Sequence, residues 1–167
     1  MRRATVFDVF QMSRALIRSI TYLCAADHHK QPALLAAWTA NKDPQTIRRW
    51  IQSGAQLWLA EIDGQVAGVG GLHNRSEVSL LYVDPAYVRR GVGLALLIRL
   101  ESELVDQGCA VAHVYATATA REFYRRFGWK DAGEAEEWQG VLQYPMRKSL
   151  HPADEGLRPF PSGDMSR

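Results

Sequence analysis

In the segment VDPAYVRRGVGLALL, Val83 to Leu97, a strand-like stretch runs through Gly91 and Gly93 into an amphipathic run, with Arg89 and Arg90 just ahead. Glycine weakens a helix interior by roughly 0.5–1 kcal/mol relative to alanine, so two glycines in a first turn suggest that something approaches the backbone there. The first N–H groups of a helix have no internal partners, and the helix dipole makes that end positive. Such a joint suits an anion, a phosphate above all. The alternative is plain tight packing of the turn. The familiar nucleotide motifs both fail: a P-loop needs Lys-Ser/Thr after its glycines, where the chain has Leu94, and a Rossmann fingerprint needs a third glycine, where it has Leu96. Asp27, His28 and His29 form a second polar cluster, but no spacing in it reads as a metal site.

The 167 residues suffice for one domain with a real core, expected to span residues 1–150. A hydrophobic content of 47% and a charged content of 23% are globular values. No apolar run approaches the roughly 20 residues needed to span a bilayer, and the start of the chain meets Asp8 before any signal-peptide core could form. A net charge of +2 disfavours nucleic acid as a partner, and the pairs Arg48/Arg49, Arg89/Arg90 and Arg125/Arg126 read first as solvated helix faces. Cys24 and Cys109 form no CxxC pair, which fits a reducing compartment. The expectation is a soluble, unprocessed, cytoplasmic protein with no membrane contact; a homodimer is left open.

The elements that must position the glycine turn are legible in outline. Residues 2–7 suggest a first strand, and a helix opening at Asp8 or Ser13 carries Phe10, Leu16, Ile17, Ile20 and Leu23 at near-helical spacing to about Ala26. Short helices are expected over Ala33–Ala40 and Pro44–Gln52. Two strands joined at Asp63-Gly64 make the strongest hairpin signal. A strand over Glu77–Val83 ends at Asp84-Pro85, and the helix from Gly91 to Gln107 aligns Leu96, Leu97, Leu100 and Leu104 before Gly108 stops it. A strand in CAVAHVYA and a helix in TATAREFYRRFG follow, with Thr119 and Glu122 spaced as a capping box. Short strands near Trp129–Ala132 and Leu142–Arg147 complete the pattern. The tail 151–167, rich in proline, glycine and charge, is expected to be poorly ordered. This order implies an α/β (α+β) domain on a mixed sheet.

LLYVDPAYVRRGVGLALL followed by ATATAREFYRRFGW resembles the coenzyme A motif and the later helix of the GNAT superfamily of N-acetyltransferases. The resemblance covers the element order from Val6 to Lys148. It implies the GNAT fold: a mixed central sheet of about seven strands flanked by about four helices. It also implies acetyl-CoA as acyl-donor cosubstrate, no metal, and an amine acceptor. Gly91 and Gly93 match the glycines whose loop holds the pyrophosphate in that family, with Val92 and Leu94 in the same turn. Val88 stands where the family has Gln or Arg, which shifts the phosphate contacts toward Arg89, Arg90 and the amides.

Acetyl transfer to an amine needs a neutral nucleophile, stabilisation of the oxyanion and a proton for the departing thiolate. An alkyl ammonium with a pKa near ~10 is free base in only about one molecule in a thousand at pH 7, so a base is useful. Glu77, six residues ahead of Val83, resembles in register the glutamate base of the histone-modifying branch. Strand alternation would put Glu77, Ser79, Leu81 and Val83 on one face. The other reading of Glu77 is an exposed strand-end carboxylate. By the same resemblance, the backbone of Leu81, Tyr82 and Val83 runs beside the pantetheine arm. Tyr124 matches the tyrosine that protonates the thiolate, with Phe123 beside it, and Thr117 stands where many relatives contact the cofactor through Asn. Tyr124 also reads as a core aromatic on the stripe with Ala120 and Phe127. If the first helices cover the cleft as in relatives, Asp27 and His28 bind the acceptor. The rival readings are a noncatalytic acyl-CoA-binding module and a toxin-like acetyltransferase of aminoacyl-tRNA.

Overall fold

The computed structural model describes residues 1–150, so the expected disorder of 151–167 lies outside the described residues. Local sequence chemistry accounts for most element ends. Asp63 and Gly64 take φ of 51° and 72°, the left-handed pair that a two-residue turn requires. They join β2 (Gln56–Ile62) to β3 (Gln65–His73) in antiparallel register. β4 (Glu77–Val83) follows on β3, then a 3₁₀ turn over Pro85–Tyr87 capped by the Asp84 carboxylate, which accepts from the Ala86 N–H at 2.9 Å.

The first strand, β1 (Arg2–Arg3), is shorter than the expected 2–7. Asp8 is the reason. Its carboxylate accepts from the Thr5 N–H at 2.7 Å and pairs with Arg2 at 2.7 Å, pulling the chain into a turn. Helix α1 (Val9–Leu23) buries Met12, Ala15, Leu16, Ser19 and Ile20, while Phe10 and Ile17 of the expected apolar face are exposed. It stops at Cys24. A single turn, α2 (Ala25–His28), follows and ends at left-handed His29. Helices α3 (Pro32–Thr39) and α4 (Pro44–Gln52) carry proline in the first turn, the second capped by Asp43 accepting from the Thr46 N–H at 3.0 Å.

After α5 (Val92–Asp106) come β5 (Val111–Thr117), α6 (Ala118–Arg126), β6 (Lys130–Asp131), β7 (Glu136–Trp138) and β8 (Val141–Ser149). The cap of α6 is Thr117, whose hydroxyl accepts from the Ala120 N–H at 3.2 Å, and not the expected box of Thr119 with Glu122. Thr119 is engaged elsewhere, by Asp27. The sheet has eight strands in the order β1-β2-β3-β4-β5-β8-β6, with β7 on β8; β4 and β5 are parallel and every other pair is antiparallel. Strand β7 was not anticipated.

Two apolar layers sandwich this sheet. On one face α1 and α4 enclose Met12, Leu16, Ile47, Leu59 and Val69. On the other, Leu96, Leu97, Leu100 and Leu104 of α5, each at most 1% exposed, pack with Tyr124 and Trp129. A third cluster, Ile20, Trp38, Trp138 and Val141, closes one end. Among the described residues neither cysteine is in a disulfide, and no helix is long and apolar enough to cross a membrane.

Helix α5 lies close on β3 because Gly68 carries no side chain. A Cβ there would meet Leu96 Cδ1 at 2.8 Å, Val92 Cγ1 at 2.9 Å and the Tyr82 carbonyl oxygen at 3.0 Å. Gly68→Ala is expected to lower stability by roughly 1–3 kcal/mol through overpacking, measured by urea denaturation. An unchanged midpoint would mean that α5 is free to move off the sheet.

Candidate active site

The parallel strands β4 and β5 are paired only at Glu77 with His113 and Val78 with Val114. Beyond Val78 they diverge, leaving a cleft of ≈ 530 Å³ between them, within the range of small-molecule sites. Leu81, Tyr82 and Val83 line one wall; Thr117, Phe123 and Tyr124 line the other. Val88, Arg89, Gly91, Val92, Gly93 and Leu94 close the wide end. Arg90 alone of the expected phosphate contacts is outside the lining, its guanidinium lying 5.7 Å from the Tyr87 ring.

Gly91 is the N-cap of α5 at φ 76°, and Arg89 before it is at 60°, so the loop turns through left-handed conformations into the helix. The first helical bond runs from the Ala95 N–H to the Gly91 carbonyl at 3.0 Å. The amides of Val92, Gly93 and Leu94 therefore have no intrahelical acceptor and sit at the positive end of the dipole. Tight packing does not account for either glycine: a Cβ on Gly91 would meet nothing within 4 Å, and one on Gly93 would make ordinary 3.6 Å contacts with Phe123 and Val83. The backbone conformation explains glycine at 91. The open space beside both residues suits an anion reaching the amides.

Tyr124 is 4% exposed, wedged edge-on between Phe123 and Trp129 at centroid distances of 5.4 Å. Burial, with smaller effects of Tyr82 and Glu101, pushes its phenol well above the usual range, so it holds its proton at neutral pH. Its ring is part of the core as its stripe suggests, and it also lines the cleft.

Glu77 lies elsewhere than alternation implies. Gly71 pairs with Leu80 and Leu72 with Val78, so Ser79 is an extra residue, a bulge in β4. The bulge reverses the phase of the strand: Val78, Leu81 and Val83 pack toward α5, while Leu80 and Tyr82 pack toward α1. Glu77 therefore does not share a face with Leu81 and Val83. It is 4% exposed, not a surface carboxylate, and lines a second, small cavity of ≈ 40 Å³ together with Trp38, Lys42, Tyr82 and Gln143. Val78, Ser79, Tyr82, Tyr115 and Thr117 line both spaces, so the small cavity adjoins the cleft through a shared wall. His113, opposite Glu77, is buried, and burial followed by the Arg147 charge lowers its pKa, keeping the imidazole neutral.

The structure brings Asp27 and His28 to neither cavity. Asp27 is buried and accepts from the Thr119 N–H at 3.3 Å and from the Thr119 hydroxyl, fastening α2 to the start of α6. His28, 1% exposed, donates from Nε2 to the Ile20 carbonyl at 2.9 Å and accepts at Nδ1 from the Lys30 N–H at 3.0 Å. Both side chains are consumed by scaffold contacts. Sequence reasoning missed Arg126 in the cleft and Lys42 in the small cavity. Helical spacing could have found Arg126, seven residues after Thr119 on a helix whose Phe123 and Phe127 also line the cleft; for Lys42 no local signal exists. Burial lowers the Lys42 ammonium to about 8. Cys24 lines the cleft too, and burial pushes its thiol up to about 12.

Comparison with known proteins agrees with this geometry. The family described as Acetyltransferase (GNAT) domain matches residues 24–150. The uncharacterized N-acetyltransferase YafP of Escherichia coli is 34% identical over 128 residues, covering 74% of this chain and 75% of that protein. Among solved structures, a GCN5-related N-acetyltransferase (Aminotransferase, Class-II) of Rhodopseudomonas palustris superposes with a TM-score of 0.79 at 26% identity, covering 89% of this chain and 93% of the other. The PaiA N-acetyltransferase of Thermoplasma acidophilum, solved in complex with coenzyme A, superposes with a TM-score of 0.73 at 18% identity, covering 89% and 96%. A strand pair that splays at a bulge, a glycine turn opening a helix at the wide end of the cleft and a match over three quarters of the sequence together make this chain a member of the GNAT superfamily, an acetyltransferase enzyme.

Proposed function

We propose that the enzyme moves an acetyl group from acetyl-CoA to a primary amine by direct attack in a ternary complex. The observation that carries this reading is the cleft itself, with unpaired helix-start amides at its wide end and the buried phenol of Tyr124 on its wall. The fit to the donor rests on this chain's own groups. The amides of Val92, Gly93 and Leu94, with Arg89 and Arg126, suit a pyrophosphate. Ser79 to Val83 have no partner on the β5 side, so this edge of β4 offers N–H and C=O groups to an extended amide-bearing arm. When bound, the donor supplies an activated acyl group whose leaving atom is sulfur. That a protein of the same fold was solved with coenzyme A supports coenzyme A as the carrier of the acyl group.

The residues then divide the proton work. Glu77 takes a proton from the incoming ammonium, directly or through a water in the small cavity. Tyr124 holds the proton that the sulfur receives, and its raised pKa suits a donor because the phenol remains neutral until the sulfur leaves. A β4 backbone N–H near Leu81 steadies the developing oxyanion. Direct attack is favoured over a cysteine acyl-enzyme. The thiol in the cleft, Cys24, is held protonated by burial and is a poor nucleophile.

Tyr124→Phe removes one oxygen and leaves the Phe123 and Trp129 packing in place. It is expected to lower kcat by roughly tenfold to a thousandfold while changing acetyl-CoA affinity by less than about threefold. Thiol-release kinetics on both proteins, with an amine found by screening, decide the point: full activity in the variant would return Tyr124 to a packing role. In Gly91→Val the branched side chain stands over the amides, and acetyl-CoA affinity in calorimetry should fall by roughly tenfold or more, about the loss of one good hydrogen bond to a charged group. Unchanged affinity in a folded variant would place the phosphates elsewhere. Glu77→Gln should slow the reaction most below neutral pH and recover in part as the medium deprotonates the amine. A rate–pH profile superimposable on wild type would mean that Glu77 handles no proton.

A further inference from the structure

Lys42 is the one charged group lining the small cavity that the proposed chemistry does not use. It is 1% exposed, yet its side chain lines the same ≈ 40 Å³ space as Glu77. The ammonium donates to the neutral Asn41 Oδ1 at 2.6 Å and lies 5.7 Å from the Trp50 ring centroid. Among the described residues no carboxylate stands within ion-pair reach of it. A buried ammonium with no carboxylate in ion-pair contact is costly, and an anion entering the cavity beside it would relieve that cost. The space has room for a small polar group such as a carboxylate, a water needing only about 10–15 Å³ of such volume. Its wall is shared with the cleft that carries Tyr124, so a group seated there belongs to a molecule whose amine can lie at the junction.

We propose that Lys42 is the counter-charge for a carboxylate on the acceptor, so that the enzyme acts on amines bearing an acid group a few bonds from the nitrogen, with α-amino acids as the simplest class. Glu77 and Lys42 present opposite charges to one small space, the complement of a zwitterion: the ammonium meets Glu77 and the carboxylate meets Lys42. A diamine would bring a second cation to the lysine, and a simple alkylamine would leave it unpaired. This inference deepens the proposed transfer to an amine and rests on it.

The test has two arms. In the first, thiol release from acetyl-CoA is followed with α-amino acids, their carboxamides and the amines lacking the carboxyl group. A carboxamide leaves its neighbouring amine more basic-free at pH 7, near the ~8 of a chain terminus, so preference for the acid runs against intrinsic reactivity. Wild type should favour the acid in kcat/KM by roughly tenfold to a hundredfold, the scale of one hydrogen bond to a charged group, and Lys42→Met should shrink that preference to within about threefold, mainly through KM. Turnover of the neutral amines with equal or better kcat/KM would overturn the inference and leave the amine reading intact. The second arm needs no turnover: titration of tryptophan fluorescence, Trp38 and Trp138 being in the cavity wall, with N-acetylglycine and with neutral N-methylacetamide. Wild type should bind the acid more tightly and Lys42→Met should not. If that difference appears while every amine stays inert, the carboxylate site stands and the amine reading fails; if it is absent, the inference fails whatever the turnover. Lys42→Met should also keep or raise Tm, because it removes a buried charge of similar volume; a fall in Tm with unchanged ligand preference would make Lys42 purely structural.

Discussion

The separation of β4 from β5 after Val78 is the constraint to which the rest of the molecule is fitted. Two neighbouring strands ordinarily satisfy each other's backbone, and parting them leaves a row of N–H and C=O groups that must find water or a ligand. The fold holds the gap open from both sides. Gly68 lets α5 settle close against β3, which brings the start of that helix to the wide end. On the other wall α6 drives Phe123 and Tyr124 into the core shared with Trp129, so β5 cannot close on β4 without expelling aromatic rings.

The bulge at Ser79 decides which side chains of β4 face the gap. One unpaired residue turns β4 by half its repeat, so a strand that shows Leu81 and Val83 to α5 shows Glu77 to the opposite face. The carboxylate thereby leaves the α5 side of the sheet and joins Lys42 in a separate chamber beyond the shared wall. On the proposed reading, donor and acceptor are approached from different directions by groups only a few residues apart in the chain.

Features written in local chemistry were legible in the sequence. The Asp63-Gly64 turn, the leucine stripe of α5, the bounds of β4 and the Gly91 joint follow from residue types at short spacing, and these elements carry most of the cleft. Features that depend on distant partners were not. Asp27 and His28 look available in a polar loop, but Thr119 and two backbone groups claim them. Phe10 fits the helical spacing yet faces outward, because the buried arc of α1 is set by Met12 and Leu16 against the sheet. A bulge leaves no compositional trace at Ser79, so alternation misplaced Glu77. Lys42, in the run ANKDPQ, reads as a surface loop until Trp38, Trp50 and Tyr82 are folded over it.

The bond between Asp27 and Thr119 bears on how such an enzyme could diversify. It joins α2 to the first turn of the helix that carries Tyr124. A lineage drifting toward a new acceptor would remodel α2 and α3 first, and each such change would be transmitted along this strut to the position of the phenol. If Tyr124 serves as proposed, selectivity and turnover are mechanically coupled traits in this scaffold. Substitutions that retune one should demand compensation in the other, and the shortest route to that compensation runs through the pair Asp27 and Thr119.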